Sequence, residues 1–173
     1  YYGPPRTTNA YQYDGSSWTA TGSMNTARSE IGCGGIQTSA MAFGGSTPSA
    51  TTATELYDGS TWTTSPASMA TAKAGPASAQ LTPSNSTGLS FGGSPPGSGI
   101  TTTEEWNVSA NVVTSAAWAA SGSLNNSRSQ IAGFGATTNA SIGAGGYRYG
   151  PNVYTNASEE YDGSSWSNSP NMP

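Results

Sequence analysis

The chain has 173 residues, a formal net charge of −4 and no histidine, and only 8% of it is charged, against about 25% in an ordinary globular domain. The five basic residues, Arg6, Arg28, Lys73, Arg128 and Arg148, lie far apart, so no basic stripe for nucleic acid is expected. Cys33 is the single cysteine, which excludes an intrachain disulfide and a cysteine metal site. The apolar runs fall far short of the ~20 residues that span a bilayer, so no membrane insertion is expected.

A polar chain of this kind is a candidate for disorder, but its aromatics recur with a period. The chain opens on Tyr1-Tyr2-Gly3-Pro4-Pro5-Arg6 and reaches a first Tyr-Asp-Gly-Ser-Ser-Trp at Tyr13–Trp18. The motif returns at Tyr57–Trp62 and Tyr161–Trp166, and a degenerate copy runs from Trp106 to Trp118 with seven extra residues within 107–117. The closing tryptophans Trp18, Trp62, Trp118 and Trp166 are 44, 56 and 48 residues apart. Between them recur Gly44-Gly45, Gly92-Gly93 and Gly145-Gly146, each after an apolar run. Met24/Arg28, Met69/Lys73 and Leu124/Arg128 each place an apolar residue four before a cation, and Glu55, Glu105 and Glu160 precede the tyrosine-type position by one or two residues.

The first complete repeat predicts strands over 29–36, 39–44, 54–58 and 61–64, separated by turn residues at 37–38, 46–52 and Asp58-Gly59. Asp-Gly between two aromatic strands is a strong hairpin signal, and glycine-rich first strands suit a crowded sheet position. A small sheet cannot bury its faces alone, so these units must stack, and the tyrosines and tryptophans are expected to bury against the neighbouring unit.

This ordered set resembles the kelch repeat, whose units carry a basic residue, an apolar strand ending in Gly-Gly, then a tyrosine and a tryptophan. Lys73 for arginine, Trp106 for tyrosine and a tyrosine–tryptophan step one residue short depart from the pattern. The resemblance implies an all-β chain of kelch-like β-propeller blades, four-stranded antiparallel sheets, in a single segment over 1–173. Residues 1–27 are then a partial blade, 28–72 a blade, 73–127 a blade with an insertion and 128–173 a blade. Three and a half blades do not close a ring of 4–8, so further blades or other subunits are expected to complete it. A chain beginning at Tyr1 is expected to be processed or part of a longer one.

Candidate chemistry is sparse. A triad lacks its histidine base, as does a kelch-type copper site. The sialidase-like Asp-box differs by one residue in its Asp-to-Trp step. Asp14, Asp58 and Asp162 either hold calcium with backbone oxygens or cap their own turns, and the second is preferred. Glu104-Glu105 and Glu159-Glu160 look like paired catalytic carboxylates, but adjacent strand residues point to opposite faces. Five N-x-Ser/Thr sequons stand at Asn85, Asn107, Asn125, Asn139 and Asn156. The stretch Tyr147-Arg148-Tyr149 with Tyr154, and Arg6 near the start, are the candidate ligand-binding residues: tyrosine gives flat contact area and arginine forked donors. The expectation is a non-enzymatic structural and binding module without cofactor or metal, on a virion or extracellular surface such as a phage fibre, recognising a surface glycan or a neighbouring protein subunit. Its rivals are an intracellular kelch adaptor and a non-catalytic part of a secreted glycan-processing enzyme.

Overall fold

The computed structural model describes residues 6–80, 84–94, 98–108, 117–137 and 139–173. All regular structure in them is strand. A first hairpin pairs β1 (Tyr11–Tyr13) with β2 (Trp18–Ala20). Three four-stranded antiparallel, blade-like sheets follow. The first is β3 (Gly32–Ile36), β4 (Ser39–Phe43), β5 (Thr54–Tyr57) and β6 (Trp62–Thr64) in chain order. The second is β7 (Ala77–Gln80), β8 (Thr87–Phe91), β9 (Thr103–Asn107) and β10 (Ala117–Ser121). In the third, β11 (Ala132–Thr137) and β12 (Ala140–Ala144) precede a small separate hairpin, β13 (Tyr147–Arg148) with β14 (Val153–Tyr154), before β15 (Ser158–Tyr161) and β16 (Trp166–Ser169) complete the sheet. The strands expected in the first sheet are present, the first one shortened: Ser29 joins only by an isolated bridge to Ser46. The second hairpin within residues 147–154 is not evident from the sequence.

Local chemistry explains each corner. At the third turn of the first sheet, Asp58 Oδ1 accepts from the backbone N–H of Ser60 and of Thr61, both at 2.8 Å, and from the Ser60 hydroxyl at 2.9 Å. Gly59 takes the left-handed φ of 98° that the turn demands. Asp14 and Asp162 repeat this arrangement, so the three aspartates cap their turns. The Gly-Gly pairs also have a geometric cause. Gly44 and Gly45 both have positive φ, 62° and 94°, and a Cβ on Gly45 would stand 2.7 Å from Ser29 O. Their amides point two ways: Gly44 N donates to Ala53 O in its own sheet, Gly45 N to Lys73 O at the start of the next. Gly93 N makes the same link to Arg128 O. The pair thus ties each sheet to its successor.

The apolar core lies between the sheets. One cluster joins Met41, Phe43 and Met69 to Trp106 and Trp118 of the second sheet. The other joins Leu89, Phe91 and Leu124 to Ile131, Tyr161 and Trp166 of the third. The first strands approach so closely that a Cβ on Gly133 of β11 would meet Ser78 O of β7 at 2.5 Å. Trp106, Trp118, Tyr161 and Trp166 are buried as expected, but Tyr13 and Trp18 are 42% and 70% exposed and Trp62 is half-buried. Trp62 lines a groove with Tyr11, Gln12 and Trp18 of the first hairpin, whose β1 pairs only with β2 among the described residues.

Candidate functional site

Each complete sheet holds one buried ion pair in a recurring cradle. Arg28 Nη1 donates to Gly44 O (3.0 Å) and Ala53 O (2.9 Å), while Nη2 meets Glu55 Oε1 at 2.8 Å. Glu55 Oε2 then accepts from Asn25 N and Asn25 Nδ2 at 2.6 and 3.1 Å. Arg128 repeats the arrangement with Gly145 O, Ala157 O and Glu159, and Glu159 holds Asn125 in the same way. In the second sheet, Lys73 Nζ reaches Thr102 O at 3.1 Å and Glu104 Oε1 at 3.4 Å, and Glu104 accepts from Ala70 N and Thr71 N. Burial pushes the Lys73 ammonium down to about 8 against the pull of Glu104. These groups hold a strand, the Gly-Gly corner and the connection between sheets in one piece; their charges are spent on each other.

This corrects one register reading. The glutamates equivalent to Glu55 are Glu104 and Glu159, two before the tyrosine-type residue, rather than Glu105 and Glu160. The doublets split as alternation requires. Glu105 instead accepts from Tyr161 OH of the next sheet at 3.0 Å and from Ser121 Oγ at 3.2 Å, whereas Glu160 is exposed. Neither doublet forms a facing carboxylate pair. The asparagines Asn25 and Asn125 were not singled out for this role, although Met24-Asn25 and Leu124-Asn125 repeat ahead of Arg28 and Arg128 and carry the signal. The sequon asparagine Asn125 spends its side-chain amide on Glu159 and on Trp166 O.

The aromatic hairpins make a second recurring device. Tyr161 and Trp166 are cross-strand partners with ring centroids 5.1 Å apart. Trp166 rests on Phe91 of the preceding sheet at 4.7 Å and donates from Nε1 to Thr103 Oγ1 at 2.9 Å. Trp118 does the same with Phe43 (5.1 Å) and Thr54 Oγ1 (3.2 Å). Trp62 Nε1 is buried and has no acceptor among the described residues: at the position of Thr54 and Thr103, three before the tyrosine-type residue, the first hairpin has Ala10.

The candidate ligand residues are divided by the structure. Tyr147, Arg148, Tyr149 and Tyr154 come together on the β13–β14 hairpin, in register Tyr147↔Tyr154 and Arg148↔Val153. Tyr147 stands at the centre, edge-on to Tyr149 (5.1 Å, 90°) and to Tyr154 (5.1 Å, 64°). Asn152 at positive φ helps close the turn, and reciprocal backbone bonds between Tyr147 and Ser129 fasten the hairpin to the third sheet. Tyr154 is 76% exposed, and Arg148 Nη2 meets Asn126 Oδ1 at 3.2 Å. Arg6 does not join them. Its Nε donates to Ser46 O at 3.1 Å, on the connection between second and third strands of the first sheet, with the second sheet intervening. Tyr1 to Pro5 lie outside the described residues. No cluster of His, Cys, Asp or Glu suited to a metal occurs among the described residues. No family model matches this chain, and no curated protein matches it.

Proposed function

We propose that the chain is a non-catalytic binding module built from kelch-like propeller blades, which presents the Tyr147–Tyr154 hairpin to a surface glycan. The observation that carries this reading is the hairpin itself: Tyr149 and Tyr154 braced edge-on against Tyr147, with an arginine, on a connection whose base is fastened to the third sheet. Connections vary freely while sheets hold them in place. Tyrosine offers an apolar face and a polar tip with little conformational freedom to lose, which suits the CH-rich face and hydroxyl rim of a sugar ring. Of the carboxylates that resemble catalytic pairs, Glu104 and Glu159 are committed to ion pairs and Glu105 to Tyr161, while Glu160 stands exposed without facing a second carboxylate, which supports a role without turnover. The low charge and Ala/Ser/Thr/Gly-rich composition favour a virion or extracellular setting over an intracellular adaptor, whose contact loops carry more charge.

The test is Tyr154→Ala, followed by the triple Tyr147→Ala, Arg148→Ala, Tyr149→Ala, screened on a glycan array alongside thermal unfolding. The expected result is glycan binding weakened tenfold or more by Tyr154→Ala with an unchanged unfolding midpoint. Loss of assembly together with stability assigns the hairpin to a subunit contact. Unchanged binding and stability remove it as a site.

A further inference from the structure

We propose that the tyrosine hairpin selects a neutral glycan, one whose contacting sugar carries hydroxyls and no acidic group, and that Arg148 stands behind the site as a positioning residue. This rests on the glycan reading above and narrows it to one class of ligand.

The argument begins with alternation along two short strands. Tyr147 and Tyr154 are cross-strand partners, and so are Arg148 and Val153. Cross-strand partners project to the same face, and successive residues to opposite faces. The three rings share the first face, where Tyr147 meets both Tyr149 and Tyr154 at 5.1 Å. Tyr154, 76% exposed, turns that face to solvent. Arg148 belongs to the second face. There its Nη2 meets Asn126 Oδ1 at 3.2 Å, two residues before the buried Arg128, and the side chain is half-buried. An arginine that reads an acid brings parallel N–H groups to one carboxylate. A sugar stacked on Tyr154 has the hairpin backbone between it and this guanidinium.

The ring face offers only uncharged groups. Tyr147 O–H donates to Asn152 Oδ1 at 3.4 Å, whereas the Tyr149 and Tyr154 hydroxyls have no hydrogen-bond partner among the described residues. A phenol both donates and accepts, which matches a sugar hydroxyl in either direction, while an anion uses the donor alone. A carboxylate pressed against these rings would lose water and gain no cation. The net charge of −4 on the chain adds a long-range penalty for an anionic ligand.

The experiment is equilibrium binding of the full chain to an array on which each neutral hexose-terminated oligosaccharide stands beside its counterpart oxidised at the terminal C6 to a uronate. The neutral member of each bound pair should bind about tenfold or more tightly, the cost of leaving one charge unpaired. Its affinity should stay level as salt is raised, since screening acts on charges. Arg148→Gln, which removes the charge and keeps an amide donor, should preserve both the affinity and the preference, while Tyr154→Ala weakens binding. Should Arg148→Gln loosen the hairpin, the preference and the salt response of the unaltered chain carry the test. Uronates bound as tightly as their neutral partners, with binding still dependent on Tyr154, would overturn the neutral class and leave the hairpin a glycan site. Affinity that falls with salt, or a preference lost in Arg148→Gln at an unchanged unfolding midpoint, would put the guanidinium in the site and overturn its positioning role. Absence of binding to every glycan, or binding indifferent to Tyr154→Ala, would remove the glycan reading and this inference with it.

Discussion

The first hairpin and the last are the same object in two surroundings. Tyr13–Trp18 and Tyr161–Trp166 have ring centroids 5.1 Å apart in both cases, with interplanar angles of 38° and 36°. Asp14 and Asp162 hold their turns with the same backbone donors at the same 2.8 Å. Yet Trp18 is largely exposed and Trp166 is buried. The shape of this motif is therefore set within six residues, by an aspartate, a glycine and two hydroxyls. Its energetic value is set by whether another sheet covers it. A repeat protein separates these two things: local sequence makes the unit, and the neighbour supplies most of the stability.

The sharpest way to break the equivalence is to remove the ring at both ends. Trp166→Ala should cost about 3–5 kcal/mol, the range for large aromatics deleted from a packed core. Trp18→Ala should stay within about 0.5 kcal/mol, as exposed substitutions do. Urea unfolding measures both, and similar costs at the two sites would overturn the account. A comparable contrast holds for the glutamate doublet. Glu159→Ala leaves Arg128 buried without its partner and should cost about 3–5 kcal/mol, while Glu160→Ala should be near neutral.

A smaller effect should come from the Trp62 donor, which has no acceptor among the described residues. Ala10→Thr restores the hydroxyl that Thr54 and Thr103 supply elsewhere, and a satisfied buried hydrogen bond contributes about 1 kcal/mol. A higher urea midpoint is expected, and the gain should vanish in a Trp62→Phe background, which has no N–H to satisfy.

Two titrations complete the series. Lys73 is held near 8 in the folded chain, below its ordinary 10.5. Between those values the unfolded chain binds more protons, so this group's contribution to stability rises as pH climbs from about 8 toward 10.5. Urea midpoints from pH 7 to 9 should show that rise, and Lys73→Met should flatten it. The carboxyls of Asp14, Asp58 and Asp162 are all lowered, first by the backbone N–H three residues on and next by the one two residues on. Their contribution is complete above the ordinary carboxylate value of 3.8 and is lost as pH falls below it through the depressed values. Because the cause is local, Asp14 and Asp162 should titrate alike by NMR despite their different surroundings; a clear split between them would show that the neighbouring sheet matters to the turn.

Much of this architecture was legible in the sequence because its signals are short-range. Asp58-Gly59, Gly44-Gly45 and the spacing of the tryptophans place strands and turns to within a few residues. The errors fall where a signal is doubled or distant. Glu104-Glu105 and Glu159-Glu160 each offer two candidates one residue apart, and a period of two makes that choice decide which face is charged. The contacts of Trp118 with Thr54 and of Trp166 with Thr103 span 64 and 63 residues, and nothing local announces them. The ligand residues were chosen by residue type, tyrosines and arginines in the connections; the structure gathers Tyr147, Arg148, Tyr149 and Tyr154 on one hairpin, whereas a hydrogen bond to Ser46 places Arg6 on a different sheet.

The second sheet departs from the others at one corner. There, Asn107 and Ala117 are cross-strand partners, as are Trp106 and Trp118, although nine and eleven residues of chain lie between them where the sister sheets have four between tyrosine and tryptophan. The ladder below that corner keeps its register. This is a permissive site in the sense used by protein engineers: guest sequence enters at the outer hairpin while the strands that carry the sheet stay in step. The tight turns at Asp14, Asp58 and Asp162 occupy the same corner of their own units, so each marks a place where a reporter peptide or epitope can be grafted for display without touching the ion pairs or the packed tryptophans.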